Sequence, residues 1–398
     1  MSQSLADVFD AVAHKRLVQV DLPGMGSNQH ELNGVSALRE FFQTSEKVEG
    51  PLHWHYFADD KEVEEEEGRF SFYDARAKSA ERTGRSEWRF YYSGEFLSKC
   101  SPGDELIIVR AAGKVHALVF QRGSARLRAA LLLFGIDSSE EQISLLSSEA
   151  IAKSDLALFR RQVIEELELE VQLPVAGNDK LVVIERFGEK FPTTAVMSAF
   201  AREQVGSDVG DADAALVAWL DREEQLFRAL EEVIIGKRIQ QGFNKVDDFI
   251  QYSLTVQNRR KSRMGHALQN HLAEVFAQHK VQFKAQARTE GGNKPDFIFP
   301  GEAEYHNASF DESLLLMLGV KSSAKDRWRQ ILPEAARIRD KHLCTLQPGI
   351  SVNQTDQMAS ERVQLVIPSS VHATYTDTQR AKLLSVSGFI DLVRSKQA

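Results

Sequence analysis

Asp296, Lys321 and Glu334 combine two carboxylates with one ammonium group, and 24 and 12 residues separate them along the chain. Carboxylate oxygens are ligands that Mg²⁺ prefers, and a nearby lysine can orient an attacking water and offset charge on a phosphoryl group. This set therefore predicts phosphodiester hydrolysis, with Asp296 and Glu334 holding Mg²⁺ and Lys321 acting on the water. The alternative interpretation is a solvated salt-bridge cluster, because a chain of 398 residues contains many triplets of one lysine and two acids.

Two of the three residues are predicted at the ends of strands. Asp296 opens the short apolar segment FIFP after a Gly-Gly-Asn turn, and Lys321 follows the apolar run 314–318. Polar groups at adjacent strand ends come close together in an α/β sheet, which agrees with a shared site.

Glu334 is predicted on a helix over about 325–341. Ser323 and Asp326 have the spacing of a capping box, which favours a helix that begins directly after Lys321. Pro333 has no N–H and should kink this helix beside Glu334.

The first part of the chain contains apolar and alternating segments of the length typical of β-strands. Alternating or apolar runs separated by turn residues predict a compact β-barrel over 17–122, and helical periodicity then predicts helices at about 124–135 and 154–171. The predicted strands are LVQVDL, LHWHYF, RFSFYD, WRFYYS, DELIIVRAA and KVHALVFQR. Glu64–Glu67 is predicted as a solvated loop.

The second part interleaves helices and strands, which favours an α/β core. The segment LPVAGND combines Pro, Gly, Asn and Asp and is the predicted linker. We expect a first domain at 1–172, a linker at 173–184 and a second domain at 185–398. Helices are predicted at about 195–206, 213–236, 245–257 and 263–279, followed by the strands VQFKAQART, PDFIFP, SLLLMLGVKSS, HLCTLQ and RVQLVIP.

Composition excludes several classes of protein. With 42 % hydrophobic residues the chain can bury cores, and no apolar run approaches the ~18–20 residues that span a bilayer. The first residues lack the order of a secretory signal, so we expect a cytoplasmic protein without a membrane partner. Cys100 and Cys344 are too few for a disulfide framework and are predicted to be plain small residues. The net charge of −8 does not favour nucleic-acid binding, although a local basic cleft would suffice.

Four blocks of the second domain carry a family resemblance: NRRKSRMGHAL at 258–268, NKPDFIFP at 293–300, VKSSAKDRWRQIL at 320–332 and RVQLVIPSSVH at 362–372. Together they resemble the catalytic half of EcoRII-like type II (type IIE) restriction endonucleases of the PD-(D/E)XK superfamily, over residues 185–398. The resemblance implies a multidomain fold, with an N-terminal β-pseudobarrel effector domain and a C-terminal α/β PD-(D/E)XK nuclease domain.

The resemblance also assigns roles to the site residues. Asp296 and Glu334 match the metal-binding acids, Lys321 matches the catalytic lysine, and Tyr305 matches a tyrosine near the active site, for which packing is an equally good interpretation. Gln269 departs from the pattern, because the family has a glutamate near the metal at this position.

DNA contacts are implied at two further places. Lys325, Asp326 and Arg327 match residues that read base edges in the major groove, where Arg and Lys donate to guanine and a carboxylate accepts from cytosine. A short site with CC at one end and GG at the other is therefore expected. Arg222 is a candidate for stacking on an extruded base.

Phosphate contacts are expected from a basic cluster that is predicted just before a helix. It consists of Arg259, Arg260, Lys261 and Arg263. A solvated loop is the alternative interpretation of these residues.

In the first domain, RTGRSEWRFYYSG resembles the family's DNA-contacting stretch. Arg82, Arg85 and Arg89 are therefore expected to bind a second DNA site, and a charged surface is the alternative. His53 and His55 share one face of a predicted strand, but a metal site would need a further ligand.

The resemblance thus implies a Mg²⁺-dependent restriction endonuclease that binds double-stranded DNA, with more than one site bound at once. A homodimer formed through the nuclease domain is expected, because twofold symmetric sites are read by twofold symmetric proteins. Two alternatives remain. A DNA-binding protein that has lost cleavage would not linearise plasmid, and a repair nuclease that recognises DNA structure would leave no fixed sequence at the cut ends.

Overall fold

The computed structural model describes residues 9–24, 30–33, 35–77, 86–111, 113–136, 141–146, 177–206 and 210–398. The chain divides into two compact units, Met1–Pro174 and Val175–Ala398. Of the helices that are described, none is both long and apolar enough to cross a membrane.

The first unit is built mainly from strands. Its strands are β1 Ala11–Arg16, β2 Glu31–Leu32, β3 Val48–Phe57, β4 Glu64–Asp74, β5 Trp88–Tyr92, β6 Glu105–Ala111, β7 Lys114–Phe120 and β8 Ser144–Leu145. The described residues of this unit also form the α-helices α1 Leu38–Phe42 and α2 Ala125–Phe134. Ser124 caps α2 by accepting a hydrogen bond from the N–H of Leu127, and Gly135 ends it at a φ of 66°.

The eight strands form one sheet in the order β2-β5-β4-β3-β7-β6-β1-β8. The pair β3–β7 is parallel, and the other pairs are antiparallel. Alternate residues of these strands point into one core that includes Leu52, Trp54, Phe72, Phe90 and Ile108. This alternation is the reason that most of the strand predictions agree with the structure.

Two predictions for this unit are wrong. Residues 17–22 are not a strand, because the chain turns through a 3₁₀ helix at Gln19–Asp21 and the strand lies earlier, at β1. The buried ammonium of Lys15 holds this turn through a 2.9 Å contact with Asp21.

The acidic run 64–67 belongs to β4 rather than to a loop, since it pairs with β3. Glu65 Oε1 lies 2.9 Å from Nδ1 of His55, and Nε2 of His55 lies 3.2 Å from Nδ1 of His116. These partners account for both ring nitrogens of His55. His53 stacks beside His116 with ring centroids 5.1 Å apart.

The second unit begins with four helices and continues as an α/β fold. Its helices are α3 Gly177–Phe187, α4 Thr194–Val205, α5 Ala212–Gln241, α6 Val246–Gln278, α7 Glu302–His306, α8 Val352–Ser360, α9 Asp377–Arg380 and α10 Val386–Gln397. Its strands are β9 Lys284–Ala285, β10 Phe297–Phe299, β11 Leu316–Val320, β12 Lys341–Cys344 and β13 Val363–Val366. The predicted linker therefore overlaps α3 from residue 177 onward, while 173–176 and the predicted helix at 154–171 lie outside the described residues.

A mixed five-stranded sheet in the order β13-β12-β11-β10-β9 forms the centre of this unit. Strands β11, β12 and β13 are parallel, and β10 pairs antiparallel with both β11 and β9. The C-terminal half of α6 buries Leu268, Leu272 and Phe276, and the Phe276 ring meets Phe297 and Phe299 of β10 edge-on. This packing fixes α6 against the strand that directly follows the first candidate acid, Asp296.

Helix α6 replaces two predicted helices. It runs unbroken through 258–262, where the sequence predicts a loop, because Arg and Lys are good helix formers and the segment has no proline. Arg259, Arg260 and Arg263 therefore lie inside a helix and not before one.

The predicted helix at 325–341 is also wrong. A 3₁₀ helix covers Lys325–Ile331, its N-cap is Ala324 rather than Ser323, and no capping side chain is bound there. Pro333 follows the end of this helix, so it terminates the helix instead of kinking it. Glu334 consequently lies in a turn, and Lys341 already belongs to β12.

Candidate active site

Asp296 lies directly before β10, and its carboxylate is buried and held from three sides. Oδ1 accepts hydrogen bonds from the side-chain amides of Gln269 on α6, at 2.5 Å, and Gln286, at 3.0 Å. Oδ2 accepts a 2.6 Å bond from the backbone N–H of Val320 in β11. The carboxylate is therefore fixed between a helix and two strands.

Lys321 follows β11 and brings its ammonium to the same carboxylate. Nζ of Lys321 lies 3.8 Å from Oδ2 of Asp296, and the Lys321 backbone N–H bonds to Cys344 O of β12 at 3.0 Å. Burial raises the pKa of Asp296, and the charge of Lys321 lowers it in part. The two residues are thus brought together as the sequence predicts.

Glu334 completes the group from the turn that follows the 3₁₀ helix. Its backbone N–H bonds to Ile331 O at 3.1 Å. Burial raises the pKa of its carboxyl to about 7, and the negative charge of Asp296 adds to this effect while Lys321 and Lys341 oppose it. Within the described part of the chain, its atom Oε2 is buried and accepts no hydrogen bond. An unsatisfied buried carboxylate oxygen is unfavourable unless a cation or a proton compensates it.

These side chains fit a hard cation, although the donor set is small. The described residues contain no group of three or more His, Cys, Asp and Glu side chains that could enclose a metal ion. Two carboxylates remain, from Asp296 and Glu334, and one of them has an unpartnered buried oxygen. Mg²⁺ commonly binds through one or two carboxylates and keeps water in its other positions. Gln269 turns its amide nitrogen toward Asp296, so it offers a donor to the acid and not an oxygen to a cation.

Tyr305 on α7 lies beside the Glu334 turn, and its phenol is buried. The hydroxyl donates its proton to Glu290 Oε2 at 2.5 Å and accepts a 3.4 Å bond from the N–H of Arg337. Burial raises the pKa of Tyr305 to about 12, with Glu290 adding to the rise. This geometry favours a packing and supporting role for Tyr305.

The predicted base-reading segment opens the 3₁₀ helix directly after Lys321. The backbone of Lys325 and Asp326 forms its first residues, and the Arg327 side chain is exposed. Gln347 supports the helix start, because its Oε1 accepts a 2.7 Å bond from the N–H of Ala324. The buried Trp328 anchors the same helix from within.

The predicted phosphate-binding arginines have partners inside the protein. Arg260 pairs with Glu231 at 2.7 Å, and the guanidinium of Arg259 lies 4.2 Å from the centre of the Phe191 ring. Arg263 is buried and pairs with Glu223, at 3.3 Å, and with Glu224. The buried position and ion pairs of Arg263 favour a structural role, and its predicted phosphate contact stays a prediction.

The other predicted DNA contacts are distributed over both units. Arg222 on α5 pairs with Asp179 at 2.9 Å and donates to Gln225 at 3.0 Å. Arg89 on β5 pairs with Glu87 and donates a 2.9 Å bond to Tyr91 Oη. Arg82 and Arg85 lie outside the described residues.

Sequence reasoning did not find the residues that support the site. They are Gln286, Glu290, Lys341 and Gln347, which contact the Asp296 carboxylate, the Glu334 turn or the start of the 3₁₀ helix. A lysine that opens the apolar segment HLC was a signal that could have drawn attention to Lys341. Cys100 and Cys344 are both buried free thiols, one in each unit.

Comparison with known proteins identifies the family to which the chain belongs. The family described as EcoRII C terminal matches residues 227–390, which contain all three candidate site residues. The type II restriction enzyme EcoRII of Escherichia coli is 35 % identical over 287 residues, which cover 71 % of this chain and 70 % of that enzyme.

The chain belongs to the EcoRII family of type II restriction enzymes. As a member it is a DNA-binding hydrolase of the restriction endonuclease class. Two solved structures are also similar to the EcoRII-family chain. Metal-depleted Ecl18kI in complex with uncleaved, modified DNA is 17 % identical with a TM-score of 0.44, covering 56 % of this chain and 84 % of that one. A PspGI–substrate DNA complex is 14 % identical with a TM-score of 0.44, covering 54 % and 95 %.

Proposed function

We propose that this endonuclease cleaves double-stranded DNA by Mg²⁺-dependent hydrolysis at Asp296, Lys321 and Glu334. The observation that carries the proposal is the meeting of Lys321 Nζ and Asp296 Oδ2 at 3.8 Å beside a buried, unpartnered oxygen of Glu334. Asp296 and Glu334 would hold the cation, which when bound would stabilise negative charge on a phosphoryl oxygen.

Asp296 and Lys321 have different proposed roles in the reaction. The Asp296 carboxylate is kept in one orientation by three hydrogen bonds, so little reorganisation is needed when charge develops beside it. Lys321 can orient the attacking water and hold a proton at Nζ, and its positive charge opposes charge building up on phosphorus substituents. These roles separate catalysis from the reading of sequence.

Sequence reading is proposed for Lys325, Asp326 and Arg327. Arg327 is exposed a few residues after the catalytic lysine, in a helix whose start is fixed by Gln347. A bidentate arginine contact to guanine contributes ~1–3 kcal/mol of discrimination, so Arg327→Ala should relax the preference at one base pair. The expected site has CC at one end and GG at the other, with Arg222 available for an extruded central base.

For the first unit we propose an effector function, in a pseudobarrel that binds a second DNA site through Arg82, Arg85 and Arg89. Coupling between two such sites is typically ~1–3 kcal/mol. A single-site plasmid should then be cut slowly, and added oligonucleotide that carries the site should accelerate cleavage. Equal cleavage rates with and without the oligonucleotide would mean that this domain only adds affinity for DNA and does not regulate cleavage.

The endonuclease is proposed to act as a homodimer through the nuclease unit, because a palindromic site is best matched by a twofold symmetric protein. The hairpin of α5 and α6 offers a surface for this contact. On α6, Val246, Ile250 and Leu254 recur every four residues, and they are 73 %, 49 % and 52 % exposed. Residues at this spacing lie along one side of a helix.

Charged residues near Val246, Ile250 and Leu254 allow this surface of α6 to pair with the same surface of a second copy. Asp247 and Lys261 each lie seven residues from Leu254, which is about two helical turns. If two copies of α6 pack antiparallel with Leu254 on the twofold axis, Asp247 of each copy faces Lys261 of the other. Asp247→Lys should therefore weaken the dimer in sedimentation, and the double variant Asp247→Lys, Lys261→Asp should restore it. A monomeric wild-type protein on DNA would overturn this part of the proposal.

Sequencing the ends of linearised plasmid tests the proposed function as a whole. One fixed CC/GG-framed sequence at the cut ends, obtained with Mg²⁺ and lost in EDTA, is the expected result. Ends without a common sequence would favour a structure-specific nuclease, and the absence of cleavage with sequence-specific binding would favour a protein that has lost the reaction.

A further inference from the structure

The turn that carries Glu334 has no regular secondary structure between the 3₁₀ helix and β12. Ala335, the next residue, has a φ of 50°, in the left-handed region that residues other than glycine rarely adopt. A backbone of this kind persists when surrounding contacts fix it. The direction of the Glu334 side chain therefore depends on what holds the turn.

The main contact is made by Lys341, the first residue of β12. Its ammonium donates to three backbone carbonyl oxygens of the turn, those of Glu334 at 2.5 Å, Ala335 at 2.8 Å and Ile338 at 2.7 Å. The side chain is buried, since Lys341 is 5 % exposed. A protonated amine has three N–H donors and a neutral amine has two, so the three bonds together require the charged form.

The backbone of Lys341 ties this clamp to the centre of the sheet. Its N–H bonds to Arg362 O, next to β13, at 2.9 Å. Strand β12 pairs with β11 on its other side, and β11 leads into Lys321. Through β12, the turn that carries Glu334 is therefore connected to β11, the strand that Lys321 follows.

Asn293 and Glu290 also contact the turn. Asn293 donates to Pro333 O at 3.1 Å, and Glu290 Oε2 accepts the N–H of Ala336 at 3.2 Å. Lys341 donates to backbone carbonyl oxygens of the turn while Glu290 accepts from a backbone N–H, so the turn is held through both kinds of backbone group. Lys341 supplies three of these contacts, more than either other residue.

We propose that Lys341 is a positioning residue that fixes the Glu334 turn for cation binding, an inference that rests on the proposed function of Glu334. It acts through the turn and need not touch DNA. Its positive charge also faces the Glu334 carboxyl, which favours the ionised form of that acid. A lysine that merely filled the core would leave the turn unchanged when replaced by a residue of similar length.

Hydrogen exchange of the full-length protein tests the clamp without any turnover. Lys341→Met keeps the length of the side chain but removes all three donors. We expect the amides of 334–338 to exchange at least tenfold faster, while those of β10 and β11 keep their wild-type rates. Lys382→Met is the matched control, because that lysine is exposed and lies in the same unit.

Calorimetric titration with Ca²⁺, which binds oxygen ligands, gives the second readout. Lys341→Met should weaken Ca²⁺ binding about tenfold and lower kcat with little change in KM for DNA. Wild-type exchange of 334–338 together with wild-type Ca²⁺ affinity would overturn the proposal. If Lys341→Met fails to fold, Lys341→Gln keeps at most two of the three donors and must speed the same amides, and unchanged rates in that variant would also overturn the proposal.

Glu334→Gln separates this inference from the proposed function. A Glu334→Gln protein with wild-type cleavage and Ca²⁺ binding would remove Glu334 from the site. Faster exchange of the turn in Lys341→Met, with unchanged Ca²⁺ affinity, would keep the clamp as a structural feature and reject its role in cation binding.

Discussion

The side-chain amide of Gln269 donates a 2.5 Å hydrogen bond to Oδ1 of Asp296, so helix α6 gives the site a neutral donor and not a third acid. Gln286 donates to the same oxygen at 3.0 Å. Two neutral donors orient the carboxylate without adding charge. The site can therefore stay folded without a cation, although it has fewer anionic ligands to offer one.

Gln269→Glu tests this relationship. Two carboxylates at hydrogen-bond distance repel each other, so the protein in EDTA should lose about 1–3 kcal/mol of stability. Saturating Ca²⁺ should raise the melting temperature of the variant more than that of the wild type. Gln251→Glu, at an exposed position of the same helix, is the control and should change neither value. An equal Ca²⁺ effect in variant and wild type would count against a cation beside Asp296.

The pKa of Glu334 predicts how stability depends on pH in the metal-free protein. Because burial raises this pKa to about 7 from an ordinary 4.5, the folded protein keeps a proton that the unfolded chain has lost between these values. Stability should therefore fall as the pH rises through this window. The full shift corresponds to roughly 3 kcal/mol, and partial exposure reduces our expectation to about 1–2 kcal/mol.

Urea unfolding in EDTA at pH 5 and pH 7.5 measures this effect. Glu334→Gln cannot titrate, so its stability should decline less than that of the wild type over the same interval. The difference between the two declines isolates Glu334 from the histidines, which are common to both proteins. Parallel declines would contradict a raised pKa at this position.

Arg263 is predicted to stabilise the fold rather than to bind phosphate. Arg263→Met removes one cation from the buried acids Glu223 and Glu224, which keep His271 and Arg228 as their remaining partners. Breaking a buried charged cluster in this way costs up to about 3–5 kcal/mol. The salt dependence of DNA binding should not change. Denaturant unfolding and DNA titration at several salt concentrations check both statements. A stable variant with a shallower salt slope would reinstate Arg263 as a DNA contact.

Gly319 in β11 sets the distance between that strand and the 3₁₀ helix. A Cβ at this position would lie 2.6 Å from Cγ2 of Ile331, which is closer than side-chain atoms approach. Gly319→Ala should therefore destabilise the protein by ~1–3 kcal/mol, and adding Ile331→Ala should cost less than the sum of the two changes. Gly236→Ala, in open space on helix α5, is the control and should stabilise slightly. Additive costs would contradict the contact.

The strands and the charged ends of β10 and β11 could be predicted from the sequence because their cause is local. Phe297–Phe299 and Leu316–Val320 lie in short apolar runs, and Asp296 directly precedes the first run while Lys321 directly follows the second. The α/β organisation of the second unit follows from the same pattern.

The position of Glu334 could not be predicted in this way. The local signals over 325–341 favour a helix, but the 3₁₀ helix ends before Pro333. The ammonium of Lys341 then donates hydrogen bonds to three carbonyl oxygens of the following turn. Arg263 shows the same limitation, since its partner Glu223 lies 40 residues away on another helix. Specific side-chain contacts decided both cases, between neighbouring segments at the Glu334 turn and between distant helices at Arg263, and hydrophobic periodicity does not encode such contacts.

Asp296 and Lys321 are proposed to act on the bond that is broken and not on the choice of site. The most direct measurement compares cleavage and specific DNA binding of Lys321→Met with those of the wild type, with Lys382→Met as the control. We predict that Lys321→Met loses cleavage by at least a thousandfold in Mg²⁺ while its preference for the cognate site over other DNA is kept. Cleavage at close to the wild-type rate by Lys321→Met would exclude Lys321 from the catalytic site.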